Sequence, residues 1–291
     1  MADQFDVIES GERGRRRWIG LAVVLALLLI PIVGVLSSSD PGPPPVTPAP
    51  EPIQSLTRVE SAPNILNVPV KTKGRDEVFE AVFPDGQRAE VRYPAELDLD
   101  AMGSRPFVGV WVDGLYRQLQ APYNGEIEVT RGGRPIRNYT RNVTLWPRQA
   151  GSGSYGQVLL FAFGQWRLAM YDRGQGLTFD QRLALARELK GRVTKNGYLV
   201  LSARGLVRLA EPGESAEGYP VGPQLWFGGG AGPMVAFVPT PGCRGTNAVP
   251  SVIDGRGRRA ESVCKGGVRI AVTGPQSFRE RALKEIQITL K

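Results

Sequence analysis

Nineteen consecutive residues without a charged or strongly polar side chain, Trp18 to Leu36 (WIGLAVVLALLLIPIVGVL), constrain this chain more than any other feature. At about 1.5 Å per residue a helix of that length covers roughly 28 Å, close to the ~30 Å hydrocarbon core of a bilayer. Pro31 falls near its far end, where a lost hydrogen bond lies close to the interface. Trp18 is placed for the headgroup level. Arg13, Arg15, Arg16 and Arg17 precede the run directly, and no Lys or Arg occurs from Ser37 to Leu56. That asymmetry predicts a single-pass span at 18–36, with residues 1–17 cytoplasmic and everything after Leu36 outside. A cleaved signal peptide is the competing reading. The run exceeds the usual ~7–15 residue apolar region of a signal, although Ser37, Ser38 and Ser39 resemble a cleavage site. The cytoplasmic stub is too short to bury a core, which assigns any activity to the outer part.

Asp40 to Pro52 (DPGPPPVTPAPEP) holds seven prolines in thirteen residues. Such a stretch favours extended polyproline II, so residues 37–54 are expected to be a semi-rigid spacer at ~3 Å per residue.

From residue 55 to 291 strand signals dominate, and the length suits one large domain or two lobes at 55–150 and 151–291. Glu77 to Tyr93 is two alternating runs joined by Pro84-Asp85-Gly86, a turn in which proline presets φ and glycine accepts positive φ. Further strands are expected at Phe107–Val112, Gly125–Thr130, Tyr198–Ser202, Met234–Val238 and Val268–Thr273, with a hairpin over Gln157–Met170 about Gly164-Gln165. Thr178-Phe179-Asp180-Gln181 has capping-box form, and Phe179, Leu183, Ala186 and Leu189 then follow at helical spacing. Gly191 stands where a left-handed cap would end that helix. A second helix is expected from Ser277-Phe278-Arg279-Glu280, another box. The expected fold class is α+β: a mainly antiparallel sheet with few helices packed on it. Trp166 to Leu185 and Val268 to Leu283 align with one four-residue gap. An internal duplication and a coincidence between two ordinary strand–helix units both fit that likeness.

With no histidine in the chain, a Ser-His-Asp triad, a His-ligated metal and a histidine acid/base are excluded. Two cysteines cannot make a four-cysteine zinc site or hold an iron–sulfur cluster unaided. On the expected topology Cys243 and Cys264 lie in a compartment that permits disulfides, and they are expected to pair. Glu96, Asp98 and Asp100 would share one face of a strand and could meet Ca²⁺, or form an exposed acidic patch beside a turn. Glu77, Glu80, Asp172 and Asp180 are the carboxylates from which a hydrolytic pair would have to come. Gly151 to Gly156 lacks the GK[ST] of a phosphate loop and reads as a connector. Gly228-Gly229-Gly230 fits a ligand groove or a wide turn. Asn138-Tyr139-Thr140 and Asn142-Val143-Thr144 are glycosylation sequons. Trp111, Trp146, Trp166 and Trp226 are expected to be packing residues.

The formal charge is +8, and the four arginines of the stub are matched by four carboxylates, so the whole excess lies beyond residue 17. Arg256, Arg258 and Arg259 fall between the two cysteines. A basic surface suits anionic headgroups, wall polymers or an acidic partner. Arginine outnumbers lysine 29 to 7, so a coding bias accounts equally for scattered charge. Nucleic acid is not an expected partner, because no recognised motif is present.

Basic stub, single span, proline-rich stalk and Arg-rich β domain together resemble the uncharacterised single-pass membrane proteins of high-GC Gram-positive bacteria. Tyr93 to Phe107 (YPAELDLDAMGSRPF) and TFDQRLALARELKG from Thr178 carry that resemblance over about forty residues. It implies no activity. The chain departs from membrane anti-sigma regulators, whose Cys/His zinc motif its inner segment lacks. The expectation is a cell-membrane protein with an extracytoplasmic binding or interaction module, and no catalytic, cofactor or metal residues assigned. Its expected partners are the bilayer, through 18–36, and an envelope protein or anionic polymer. The alternatives are an accessory subunit of a secretion or wall-synthesis assembly, and a carboxylate-based envelope hydrolase.

Overall fold

A computed structural model describes residues 64–147, 155–244 and 249–291. The expected span, stalk and orienting residues Arg13, Arg15, Arg16, Arg17 and Trp18 lie outside these residues, and no helix among the described residues is long and apolar enough to cross a membrane.

The first strands among the described residues form a meander, β1 (Lys71–Lys73), β2 (Asp76–Val82) and β3 (Arg88–Pro94). The β2–β3 turn forms where Pro84-Asp85-Gly86 predicts it. Gly86 has φ +92°, and the Asp85 carboxylate accepts the Gln87 N–H at 3.0 Å. A 3₁₀ turn at Ala95–Leu97 and the short α1 (Leu99–Met102) lead into β4 (Ser104–Val112). Asp113-Gly114, both at positive φ, reverse the chain into β5 (Leu115–Gln120). Then come α2 (Glu126–Thr130), β6 (Arg137–Thr140), β7 (Val143–Trp146) and the long hairpin β8 (Tyr155–Phe163) and β9 (Trp166–Arg173). Helix α3 (Phe179–Glu188) passes into β10 (Lys190–Val193) and β11 (Leu199–Ser202). The remaining elements are β12 (Val207–Leu209), β13 (Ser215–Ala216), β14 (Tyr219–Pro220), β15 (Gln224–Gly228) and β16 (Met234–Pro239). The chain closes with α4 (Ser251–Asp254), β17 (Ala260–Lys265), β18 (Val268–Thr273), α5 (Gln276–Glu285) and β19 (Gln287–Leu290).

Every assigned strand pair is antiparallel, as the expected class requires. A large sheet runs β17-β18-β16-β15-β4-β5-β9-β8-β7-β6, with β12 beside β4. A smaller sheet is β1-β2-β3-β19. Strand β16 shows why its whole sequence is apolar. Val235 and Phe237 face one cluster with Phe79, Val91, Tyr93 and α5, whereas Met234, Ala236 and Val238 face another with Phe107, Trp226 and Ile253. A strand covered on both faces loses its alternation. A third cluster joins β4, β5, β7, β8 and β9 to Leu185, Ala186 and Leu189 of the α3 region. Fully burying each of these larger side chains contributes about 1.5–3 kcal/mol.

The topology repeats. Hairpin β4–β5, hairpin β8–β9, helix α3 and strand β10 correspond in order to hairpin β15–β16, hairpin β17–β18, helix α5 and strand β19. In the sheet the two sets run β4-β5-β9-β8 and β15-β16-β18-β17, with β4 and β15 as antiparallel neighbours at the centre. Leu189 and Ile286 end their ten-residue helices alike. Each is buried, extended, and donates its N–H to the carbonyl four residues back. The sequence likeness thus falls on equivalent elements. Hairpin β6–β7 belongs to the first set alone.

Four local expectations are corrected. Gly125–Thr130 is not a strand but contains α2: Gly125 has φ +60°, Glu128 accepts the Asn124 N–H, and Arg131 closes the turn at φ +45°. Ile127 is exposed while Val129 is buried, so a two-residue alternation over so few positions misled. Gly191 is not a left-handed cap but lies inside β10, because Leu189 ends the helix in extended conformation. Phe179 does not join the buried face of α3 and is 48% exposed. Helix α5 forms without the Ser277 capping box; Pro275 is its N-cap, and Gln276 and Glu280 bond to each other. The Thr178 box is present in full.

Candidate interaction surface

The charge of the domain is segregated along the chain. Between Glu128 and Asp172 there is no carboxylate in 43 residues, but there are six arginines: 131, 134, 137, 141, 148 and 167. Hairpin β6–β7 sits in this interval and adds two strands beyond β8, so among the described residues β6 is the outermost strand on that side of the large sheet. Its pairing with β7 shifts between Asn138 and Thr140, a bulge of the kind that marks exposed edges. Arg131, Arg134, Arg137 and Arg141 are exposed, as is Asn138, and Ile136 is 50% exposed. Arg167 pairs with Glu126 at 3.2 Å. Arg134, Arg137 and Arg141 have no ion pair among the described residues.

An aromatic pair completes the surface. The Phe179 ring at the start of α3 stands 5.6 Å from that of Tyr139 on β6, and the Arg137 guanidinium lies 5.0 Å above the Phe179 centroid. Exposed arginine and aromatic groups therefore meet at a strand edge that has no further strand beside it among the described residues.

A buried ion triad holds α3 in place. Asp172, 1% exposed, accepts Arg117 Nε on Oδ1 at 2.9 Å, and Arg182 Nη2 and the Leu177 N–H on Oδ2 at 2.8 and 2.7 Å. Asp172 is the penultimate residue of β9, Arg117 belongs to β5 and Arg182 to α3. The triad ties the helix to the sheet, so this carboxylate is committed to structure.

The other sequence candidates fall elsewhere. Gly228 to Gly232 forms a turn with arginines on its carbonyls. Arg105 Nη2 donates to Gly228 O at 3.0 Å, Arg256 Nη2 to Gly232 O at 2.9 Å and Arg258 Nη1 to Ala231 O at 2.6 Å. Burial pushes the Arg105 and Arg256 pKa values down. Arg259 pairs with Glu261 at 3.1 Å. Glu96, Asp98 and Asp100 do not share a strand face: they occupy the 3₁₀ turn, a left-handed position and α1. No group of three or more His, Cys, Asp or Glu that could hold a metal occurs among the described residues. Glu77 and Glu80 lie on β2 of the small sheet, whereas Asp172 and Asp180 lie on β9 and α3. Tyr93 donates to Glu77 at 2.5 Å, and burial is the first cause holding its hydroxyl proton firmly. Of the Gly151–Gly156 connector, 151–154 lie outside the described residues, and Gly156 is in β8. Asn138 lies on β6, and Asn142 in the β6–β7 turn, where it accepts from Thr140. Trp146, Trp166 and Trp226 are buried with their indole N–H groups bonded, and Trp111 packs on Tyr116.

Cys243 and Cys264 form a disulfide with Cα atoms 6.0 Å apart. The bridge fastens the segment after β16 to β17.

The β6 surface went unread in the sequence, although the carboxylate gap that marks it is visible there. No protein-family model, curated protein or solved structure matches the chain.

Proposed function

We propose that this protein is a membrane-anchored interaction module, held by a span at 18–36 and carried outside the cell on its proline-rich segment. The observation that carries the reading is the β6 edge. Here three exposed arginines, without ion partners among the described residues, stand beside an exposed aromatic ring. Unpaired charge and accessible aromatic area are what a binding surface offers a partner.

The test is site-specific photo-crosslinking in the native cells. A photoreactive residue replaces Asn138 on β6, and in a parallel strain Lys73 on the small sheet. The account expects a discrete crosslinked envelope component from position 138 and none from position 73. Equal labelling at both positions, or none at 138, would contradict it.

A further inference from the structure

Resting on that reading, we infer that the partner of the β6 edge is an extended, acidic polypeptide segment that adds to the sheet as a further strand. Three observations select this occupant. The edge presents backbone hydrogen-bonding groups of the large sheet with no strand beyond it among the described residues, which is the template for strand addition. Arg134, Arg137 and Arg141 are exposed there without ion partners among the described residues, against the single carboxylate of Asp180 next to Phe179 in sequence. A second copy of this edge would bring like charges together, which disfavours self-pairing. An acidic strand turns the same arginines from a barrier into a selectivity element. Arg137 and the Phe179 and Tyr139 rings share one face of this edge, which the acidic side chains of an added strand would meet, and the residues between the acids would face the other way. The four residues of β6, with its bulge, set a short footprint.

The full chain, in nanodiscs of neutral phosphatidylcholine, is titrated with a pooled set of eight-residue peptides alternating Asp or Glu with Val, Ile, Thr or Tyr. Binding is followed by anisotropy and by hydrogen exchange at 137–140. The inference expects binding, slowed exchange at those amides, and at least tenfold weakening in the R134E/R137E variant. It expects that variant to bind the matching Lys peptides instead, which shows that it is folded. Backbone N-methylation of the acidic peptides should abolish binding, because charge is kept while the ladder is lost. Failure of the acidic pool to bind overturns the inference, as does undiminished binding after N-methylation. So does arginine-dependent binding of phosphatidylglycerol vesicles without peptide binding. A crosslink at position 138 in cells alongside any of these failures would retain the interaction module and discard the acidic strand.

Discussion

Arg137 lies over the face of Phe179, with its guanidinium carbon 5.0 Å from the ring centroid. The contact joins β6 to the first turn of α3, two elements forty residues apart. A cation over an exposed ring is worth about 0.5–1 kcal/mol. A double-mutant cycle of R137A and F179A, read by urea unfolding, should return a coupling of that size. Zero coupling would mean that the two side chains do not hold each other.

Asp172 should be far less tolerant. It is buried between Arg117 and Arg182 and also accepts the Leu177 N–H. D172N removes the charge and leaves two partly buried guanidinium groups facing an amide. Breaking a buried ion pair from one side costs about 3–5 kcal/mol. The urea midpoint should fall accordingly, and amides of α3 should lose exchange protection before those of β16.

Gly191 is fixed by Phe163. A β-carbon at 191 would stand 2.7 Å from each Cδ of that ring, inside van der Waals contact. Overpacking of this kind costs about 1–3 kcal/mol. G191A should destabilise by that amount, and F163A, which removes the clashing ring atoms, should cost less in the G191A chain than in the parent.

These two sites also show what the sequence could tell. The spacing of glycine behind a helix is the same for a left-handed cap and for a strand glycine pressed on a ring, and only the position of Phe163, reached through β8, separates them. The hairpins at Pro84-Asp85-Gly86 and Gly164-Gln165 were legible because turn chemistry is local. Strands such as β12 and β19 were not, because their pairing with β4 and β3 rests on residues some hundred to two hundred positions away. Likewise the arginines of the interaction surface were visible as composition. Their gathering on one free edge depends on where β6–β7 joins the sheet.

Glu214 gives the pH dependence. Arg208 donates to both its oxygens, at 2.8 and 2.9 Å, and holds the carboxyl down at about 2 from an ordinary 4.5. A carboxyl whose folded-state pKa is depressed contributes stability above its unfolded value and loses it as pH falls toward the folded one. E214Q should therefore be less stable than the parent at neutral pH, by a small amount because Arg208 is half exposed. The difference should shrink from about pH 4.5 downward and vanish near pH 2. A difference constant across that range would contradict the pairing.

Removing the disulfide should cost about 3 kcal/mol, since 21 positions separate Cys243 from Cys264 and closing such a loop restricts the unfolded chain. C243S/C264S should match the reduced parent in urea unfolding, and the parent should lose its advantage when a reductant is added.

In the proposed arrangement the β domain stands outside a membrane that the chain itself spans. Protease added to intact cells, with membranes then washed in alkaline carbonate, tests it most directly. The account predicts that untreated chain stays with the washed membranes and that external protease removes the β domain before lysis. A chain that resists protease until the cells are broken, or that washes free of the membranes, would contradict it.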